Sequence, residues 1–514
     1  MLAYVIRRLG ALVVILFGSS FLLYNLAAVS TDPLAELRLS DAPNKEQLIL
    51  NLTRELRLDL PPPLRYFIWL RGVLGVFVGN PNFGLTREQE PVVDAILGAL
   101  PTTIRLVFVA TIVAIVLGIS LGITSALRQY TRFDYSMTFF AFLLFSLPIF
   151  WVAVLLKQYL AIDFNDFLVT AKISPPWIIG LSVVTGFFWA AIISGTRKRV
   201  ITIFAIAFTA NVILLSAISA TEWLAYPRLG PIAIAILGTG IAFGVTYLSM
   251  GLSDKNALKT TLLMVVVGTI SYFPAQSILD SNRPRVGILG LYIVLLIVSV
   301  AGAYIFARID RAPIIRTSII TSSLIGLLIL VDKMMQAWRP YVESDDVNYR
   351  PVATIGQSTI WLSEVSFWVR VLDFAMHLVL PTLALTLISF AGYIRFSRGT
   401  LLDVLNQDYI RTARAKGLTE RTVIMRHAFR NTMIPLTTIM VGDIAGIVGG
   451  AIITERVFGW QGMGTLFNKA INSFDLNLLM GVILFLSTLA ILANLVADLL
   501  YSVLDPRIRV GAGK

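Results

Sequence analysis

The sequence predicts an all-α, polytopic integral membrane protein with about twelve transmembrane helices, and three observations carry that prediction. Hydrophobic residues make up 57% of the 514 and charged residues only 14%, against roughly 25% charged in an ordinary soluble domain. Apolar runs recur that reach the roughly 20 residues needed to cross a hydrocarbon core. Lys and Arg gather in alternate connections between those runs, the pattern that orients membrane helices.

The net charge of +12 and the pI near 9.9 then follow from loop lysines and arginines, not from a nucleic-acid surface. No cysteine is present, which excludes disulfides, thiolate metal sites and cysteine nucleophiles. The two histidines, His377 and His427, fall on opposite sides of one expected span, which argues against a histidine metal centre.

Arg7 and Arg8 precede an apolar run over residues 9–28. That run is longer than a signal-peptide core, so an uncleaved first span with a cytoplasmic N-terminus is expected. Residues 29–101 carry both signs of charge and suit the external side. Within them a helix is expected over residues 53–59, stopped by Pro61, Pro62 and Pro63. An amphipathic piece over residues 65–74 then places Tyr66, Trp69 and Leu70 on one face, at the membrane interface. The second span, residues 103–126, carries Gly118 and Gly122 at a spacing that lets another helix approach closely. A third, residues 137–156, contains Pro148 and should kink there.

Six further apolar runs follow, at residues 177–194, 200–219, 231–252, 260–279, 287–306 and 317–331. Arg197, Lys198 and Arg199 follow the first, Lys255 and Lys259 the third, and Arg308, Arg311 and Arg316 the fifth, so these exits are expected to be cytoplasmic. Almost no charge lies at the centres of these runs, which argues against a proton or ion path through them. Residues 333–373 return to the external side, and core spans follow at 374–394, with Pro381 inside, 434–453 and 478–501.

The chain is organised around the basic stretch between the first two of these, residues 408–435. Tyr409, Thr412, Ala413 and Lys416 share one helical face, where small side chains would allow a close fit to a partner. Gly417 stands where a helix terminates in the left-handed conformation. Thr419 can cap a second helix, with Glu420 in its first turn set against the helix dipole. Arg421, Arg426 and Arg430 punctuate Val423, Ile424 and Phe429, giving helix, sharp turn, helix with basic heads exposed. On composition alone such a loop could equally serve only to orient the chain or to touch anionic lipid.

Two features of the span at 434–453 stand out. Gly442, Gly446 and Gly450 repeat every four residues and form a groove for close packing, either against a second subunit at a translocation path or within the chain. Asp443 lies near mid-span, where an ionised carboxylate costs about 3 kcal/mol on insertion scales. It is a candidate for a wet path that meets a cationic substrate group, or else for an internal bond to Asn494 or a lysine.

The order Tyr409, Ile410, Arg411, Thr412, Ala413, Arg414, Ala415, Lys416, Gly417, Leu418, continuing to Arg426, His427, Ala428, Arg430 and Asn431, resembles the cytoplasmic signature loop of ABC importer permeases. It is most similar to the dipeptide, oligopeptide and nickel class, whose long form of the loop is matched by Pro435. The resemblance extends to the N-terminal Val5 to Leu9, to Glu55 through Asp59 with Pro63, Tyr66 and Trp69, and to Leu100 through Thr103. It also takes in Glu455 through Gly464 and the end from Asp498 through Arg509. Gln461 departs from the pattern, where proline is common, and so does the long stretch from Gly75 to Gly84.

The resemblance covers residues 1–156 and 374–510, a six-helix permease core, and leaves residues 157–373 as an inserted six-span bundle about which it implies nothing. It implies that Tyr409, Arg411, Thr412, Ala413, Arg414, Ala415, Lys416, Gly417, Leu418, Glu420, Arg421 and Arg426, within a loop spanning residues 395–433, couple this chain to an ATP-binding subunit. The implied assembly has a second permease subunit, two ATPase subunits that hold ATP and Mg, an extracytoplasmic substrate-binding protein and the surrounding membrane lipid. No cofactor is expected on this chain, and nucleic acid is not an expected partner. The ending Gly511, Ala512, Gly513, Lys514 lacks the preceding strand and following Ser or Thr of a phosphate loop, so hydrolysis is assigned to the partner.

Short peptides are the implied substrate, with nickel or another small solute as the alternative. A bacterial or archaeal cytoplasmic membrane with both termini inside is the expected location. An ion-coupled secondary transporter would show paired broken helices and several intramembrane charges, and neither is evident. An enzyme acting on lipid-linked substrates would need interfacial carboxylates, for which Asp345 and Asp346 alone are weak evidence.

Overall fold

A computed structural model of the chain describes residues 2–30, 32–39, 43–193, 195–306, 311–360, 362 and 366–504. Side chains of residues 2–9, 11, 36, 421, 444–450 and 496–504 lie outside that description. Among the described residues every regular element is a helix, and one isolated bridge joins Leu85 to Pro91. Ten helices among the described residues are long and apolar enough to span a membrane, or eleven if one bent pair counts as a span. The expected span at 434–453 falls on a further helix, Phe429–Gly450, whose last seven side chains are not described.

Two compact units emerge, the first comprising residues 1–159, 354–357 and 378–514 and the second residues 160–353 and 358–377. The first opens with α1 (Leu2–Ser30). The helix expected at 53–59 instead runs earlier, as α2 (Lys45–Glu55), and the chain turns at Arg57 with φ +50°. The three prolines begin the next helix as well as separate it from α2: Pro61 is its N-cap and Pro62 the first residue of α3 (Pro62–Val73), where proline's missing N–H costs nothing. Tyr66 and Trp69 are buried against Tyr24 and Met480, with Leu70 packed on the same cluster.

α4 (Val92–Leu127) begins eleven residues earlier than the expected span and runs through Pro101. Gly118 and Gly122 are buried on it, and a methyl group added to Gly122 would collide with Ser397 Oγ. The spacing thus marks a close helix crossing. The Ser397 hydroxyl on the opposing helix donates back to the Tyr393 carbonyl at 2.6 Å and so needs no other partner. The third apolar run is broken, not merely kinked: α5 (Arg132–Ser146) and α6 (Ile149–Lys157) meet at Leu147 and Pro148 in a pair bent by 100°. Pro148 is the N-cap of α6, extended at ψ 140°, so the helix cannot continue through it.

The second unit holds α7 (Pro175–Ile193), α8 (Arg197–Ala220), α9 (Gly230–Ser249), α10 (Lys255–Leu279), α11 (Pro284–Phe306) and α12 (Arg311–Gln336). α7 and α8 pack on each other as a hairpin, and α9 to α12 pack as a group of four. Hydroxyls bond across the group, Thr246 to Thr261 at 2.9 Å and Ser249 to Thr317 at 2.7 Å. Asp332 of α12 is fully buried and gathers three helices. It accepts from the Leu229 and Gly230 amides at the start of α9, at 2.7 and 3.0 Å, and from the Tyr272 hydroxyl of α10 at 2.8 Å. A carboxylate at a helix N-terminus is stabilised by the dipole and by the unpaired amides there.

α13 (Phe367–Leu405) extends the expected span at both ends, and α14 (Asp408–Ala415) follows it. After the basic turn come α15 (Phe429–Gly450), α16 (Ile452–Phe458), α17 (Met463–Asn472) and α18 (Leu476–Leu504). In the first unit α15 and α18 pack together, and α18 also packs on α1. The C-terminal residues 505–509 lie outside the described residues.

Candidate functional site

The basic stretch folds as helix, turn and helix. α14 ends at Ala415 with Lys416 as its C-cap, and Gly417 adopts φ +75°, the left-handed turn expected of it. Thr419 caps the next short helix, Glu420–Thr422, by accepting from the Thr422 amide at 3.4 Å. Arg414 and Glu420 close the turn with two hydrogen bonds, Nε to Oε1 at 2.7 Å and Nη2 to Oε2 at 3.4 Å. This two-point pairing holds the planar guanidinium in one orientation, which a lysine could not do. A π-helical turn, Val423–Ala428, then leads into α15. Asn431 donates to the Tyr409 hydroxyl at 2.7 Å and ties α14 to the base of α15.

Ile410, Ala413, Val423 and Ala428 are buried together with Ala126 of α4 and Leu401 of α13. Ala413 therefore does not belong to the accessible face proposed for it: with Ile410 it seats α14 on the bundle. Tyr409, Arg411, Thr412, Arg414, Ala415, Lys416, Gly417, Leu418, Glu420 and Arg426 are exposed, while the Arg421 side chain lies outside the described residues. The exposed surface is basic and rests on an apolar underside that packs against the ends of α4 and α13.

Beside this core lies an ion pair that the sequence reading passed over. Arg398 of α13 donates to Asp134 of α5 through Nε at 2.7 Å and Nη2 at 3.0 Å. Ser125 of α4 donates to the same carboxylate at 2.5 Å and the Tyr130 amide at 3.0 Å. Asp134 is buried, so four donors compensate its lost hydration and three helices are pinned at one point. The aspartate three residues beyond Thr131, where a cap belongs, was the available sequence signal.

A second cluster sits at the other end of α15. Glu455 of α16 is completely buried and accepts from the Thr103 hydroxyl of α4 at 2.7 Å and from the Thr465 amide at 2.8 Å. The Gly464 amide also donates to it. Both amides belong to the first turn of α17, and Met463 N donates to Thr103 Oγ1 at 2.7 Å. Gly462 lies so close to the Glu455 and Thr103 oxygens that a side chain has no room there. Two stretches far apart in sequence, Leu100 to Thr103 and Glu455 to Gly464, thus form one constellation. Neither Thr103 nor Glu455 had been singled out as a site residue.

On α15, Gly442 has no atom of the described residues within 4 Å of an added Cβ, so none of them packs on it; Gly446 and Gly450 lie outside the residues with described side chains. Asp443 is exposed and bonds neither to Asn494 nor to a lysine among the described residues. The buried Tyr393 hydroxyl of α13 has no hydrogen bond of standard geometry and lies near the Asp443 carboxylate. Among the described residues no group of three or more His, Cys, Asp or Glu could hold a metal ion.

Burial pushes the Glu455 carboxyl above its ordinary value of 4.5. Folding thus favours its protonated form, a contribution complete below the ordinary value and lost as pH rises through the higher folded one. Glu455→Gln is expected to flatten the dependence of melting temperature on pH above about 4.5, read by thermal unfolding in detergent. Glu455→Ala leaves three buried donors without an acceptor and is expected to cost about 3 kcal/mol or more, and equal melting temperatures for all three proteins would refute the assignment.

The family described as binding-protein-dependent transport system inner membrane component matches residues 114–510. Among curated proteins, the oligopeptide transport system permease protein OppB of Mycobacterium tuberculosis is 44% identical over 143 residues, 28% of this chain and 44% of that one. OppB of Mycobacterium bovis matches to the same extent. The dipeptide transport system permease protein DppB of Escherichia coli is 40% identical over 165 residues, 32% of this chain and 48% of that one. The chain spans about half the length of the curated relatives it matches.

Proposed function

The chain belongs to the family of binding-protein-dependent transport system inner membrane components, and on that premise we propose that it is one permease subunit of an ATP-driven importer of short peptides. The observation that carries the reading is the family match over residues 114–510, which includes the whole basic helix-turn-helix. Two of its matched relatives are named as oligopeptide and dipeptide permeases, which favours peptides as substrate.

In this reading residues 408–428 face the cytoplasm and their exposed side chains dock into an ATP-binding subunit, with a second permease chain completing the channel. ATP and Mg are held by the partner, and an extracytoplasmic binding protein delivers substrate at the opposite end, near the Glu455 cluster. Both termini are cytoplasmic. ATP binding moves α14, and the buried Ile410 and Ala413 pass that motion to α4 and α13. The Asp134–Arg398 fork makes α5 follow, and α15 carries the displacement towards the Glu455 cluster. Alternating access is then a rigid-body response of packed helices that have two arrangements. The exposed Gly442 edge of α15 provides space for the partner permease, and Asp443 faces the wet path between them.

Gly417→Val places a β-branched residue at positive φ, a strain of about 1 to 3 kcal/mol, and distorts the docking turn. In proteoliposomes holding the complete transporter, transport should fall by roughly 5- to 100-fold, that strain converted to a rate, while the chain remains inserted. Unchanged coupling of ATP hydrolysis to transport would remove the turn from the docking surface. Asp443→Asn should lower uptake of peptides with a free amino terminus without lowering the amount of assembled protein; uptake equal to wild type for every peptide tested would place Asp443 off the path.

A further inference from the structure

The second unit contains a feature that the transport reading does not use. Between α10, α11 and α12 lies an apolar cavity of about 550 Å³, bordered by residues such as Val267, Leu291, Leu295, Val298 and Ile325. Of its lining hydroxyls, Ser299 bonds to Ser322 at 2.5 Å and Ser271 donates to the Gly268 carbonyl at 3.0 Å, while Tyr292 and Ser323 add two more polar groups to an otherwise apolar wall. Along α11 the lining extends from Ile288 to Ser299, roughly 16 Å at the helical rise per residue. Such a space is shaped and lined for a hydrocarbon chain.

A second, polar pocket of about 520 Å³ opens at one end of the same helices. Leu279 borders both spaces, and Leu330 of the apolar cavity stands one helical turn before Lys333 of the polar one. The polar pocket holds Asp280, Lys333 and Arg370. Lys333 is only 6% exposed and bonds to Asp280 at 2.7 Å and Gln336 at 3.3 Å. An ammonium has three donors, so one N–H of Lys333 is left over. Arg370 is exposed and pairs with none of the described carboxylates, while Arg283 and Arg285 stand exposed beside the pocket lining, the latter over the Phe367 ring at 5.8 Å. Among the described residues the lining carries one acid, Asp280, and two bases, Lys333 and Arg370; with Arg283 and Arg285 exposed beside it and Asp332 behind Gln336, bases outnumber acids where α10 and α12 end.

We propose that the second unit binds one anionic phospholipid, its acyl chain in the cavity between α10, α11 and α12 and its phosphate on Lys333 and Arg370. Charge complementarity selects the headgroup and the apolar cavity selects an attached chain, so free inorganic phosphate lacks half of the recognition. A phosphate diester presents the acceptor oxygens that a guanidinium fork and an ammonium bind best. The proposal does not depend on what the first unit transports.

The test is native mass spectrometry of the full chain in detergent, titrated with phosphatidylglycerol, phosphatidylcholine or inorganic phosphate. Wild type should retain one phosphatidylglycerol at about tenfold lower concentration than phosphatidylcholine, a preference worth about 1.4 kcal/mol, and inorganic phosphate should not displace it. Arg370→Gln, at an exposed position, should abolish that preference. Ser323→Phe, which fills the apolar cavity, should weaken both lipids. Equal retention of the two lipids by wild type, displacement by inorganic phosphate, or titrations unaltered in both variants would overturn the proposal.

Discussion

The pairing of Asp134 with Arg398 is the interaction on which the working end of the first unit depends. A carboxylate removed from water is tolerated only when its oxygens are satisfied, and here two guanidinium nitrogens, a serine hydroxyl and a backbone amide satisfy them. That set ties α4, α5 and α13 together at one point. α14 rests on two of these helices, α4 and α13, through Ile410 and Ala413. The small residues at Gly118 and Gly122 serve the same end, since they let α4 and the Tyr393 and Ser397 region of α13 touch without intervening side chains.

At the other end of α15 the constraint has the same chemistry and opposite electrostatics. Glu455 has no cation among its hydrogen-bond donors and relies on a hydroxyl and the first amides of α17. A carboxylate held only by neutral donors stabilises a short helix pair while remaining sensitive to protonation.

Much of the fold was legible in the sequence because bilayer physics leaves few alternatives. The six apolar runs set apart between 177 and 331 return as α7 to α12 with boundaries shifted by a few residues: α8, α10, α11 and α12 continue into the polar flanks of their apolar stretches, while α9 stops at Ser249, short of the expected end at 252. The Gly417 turn and the Thr419 cap were readable for the same reason: each rests on local backbone chemistry. What could not be read was which side of a helix finds a long-range partner. Ala413 looked like part of a smooth contact face, and the identity of the residues beneath it, Ala126 and Leu401, comes from segments about 290 and 12 positions away. Asp134, Asp332 and Glu455 were missed because a lone acid near a helix end has no periodic signal, and its value appears only once distant donors converge on it.

The central claim is that the exposed face of α14 is the contact through which an ATPase drives this chain. The absence of cysteine makes it directly measurable, because any introduced thiol is unique. Single variants Thr412→Cys, Lys416→Cys and Ala413→Cys, assembled with their partner subunits, can be treated with a short bifunctional thiol-to-amine crosslinker. The account predicts that the two exposed positions form a covalent adduct with the ATPase subunit, in a yield that changes when ATP is added, and that the buried position forms none. An assembled, transport-competent complex in which neither exposed position reaches the ATPase, or in which all three react alike, would contradict it.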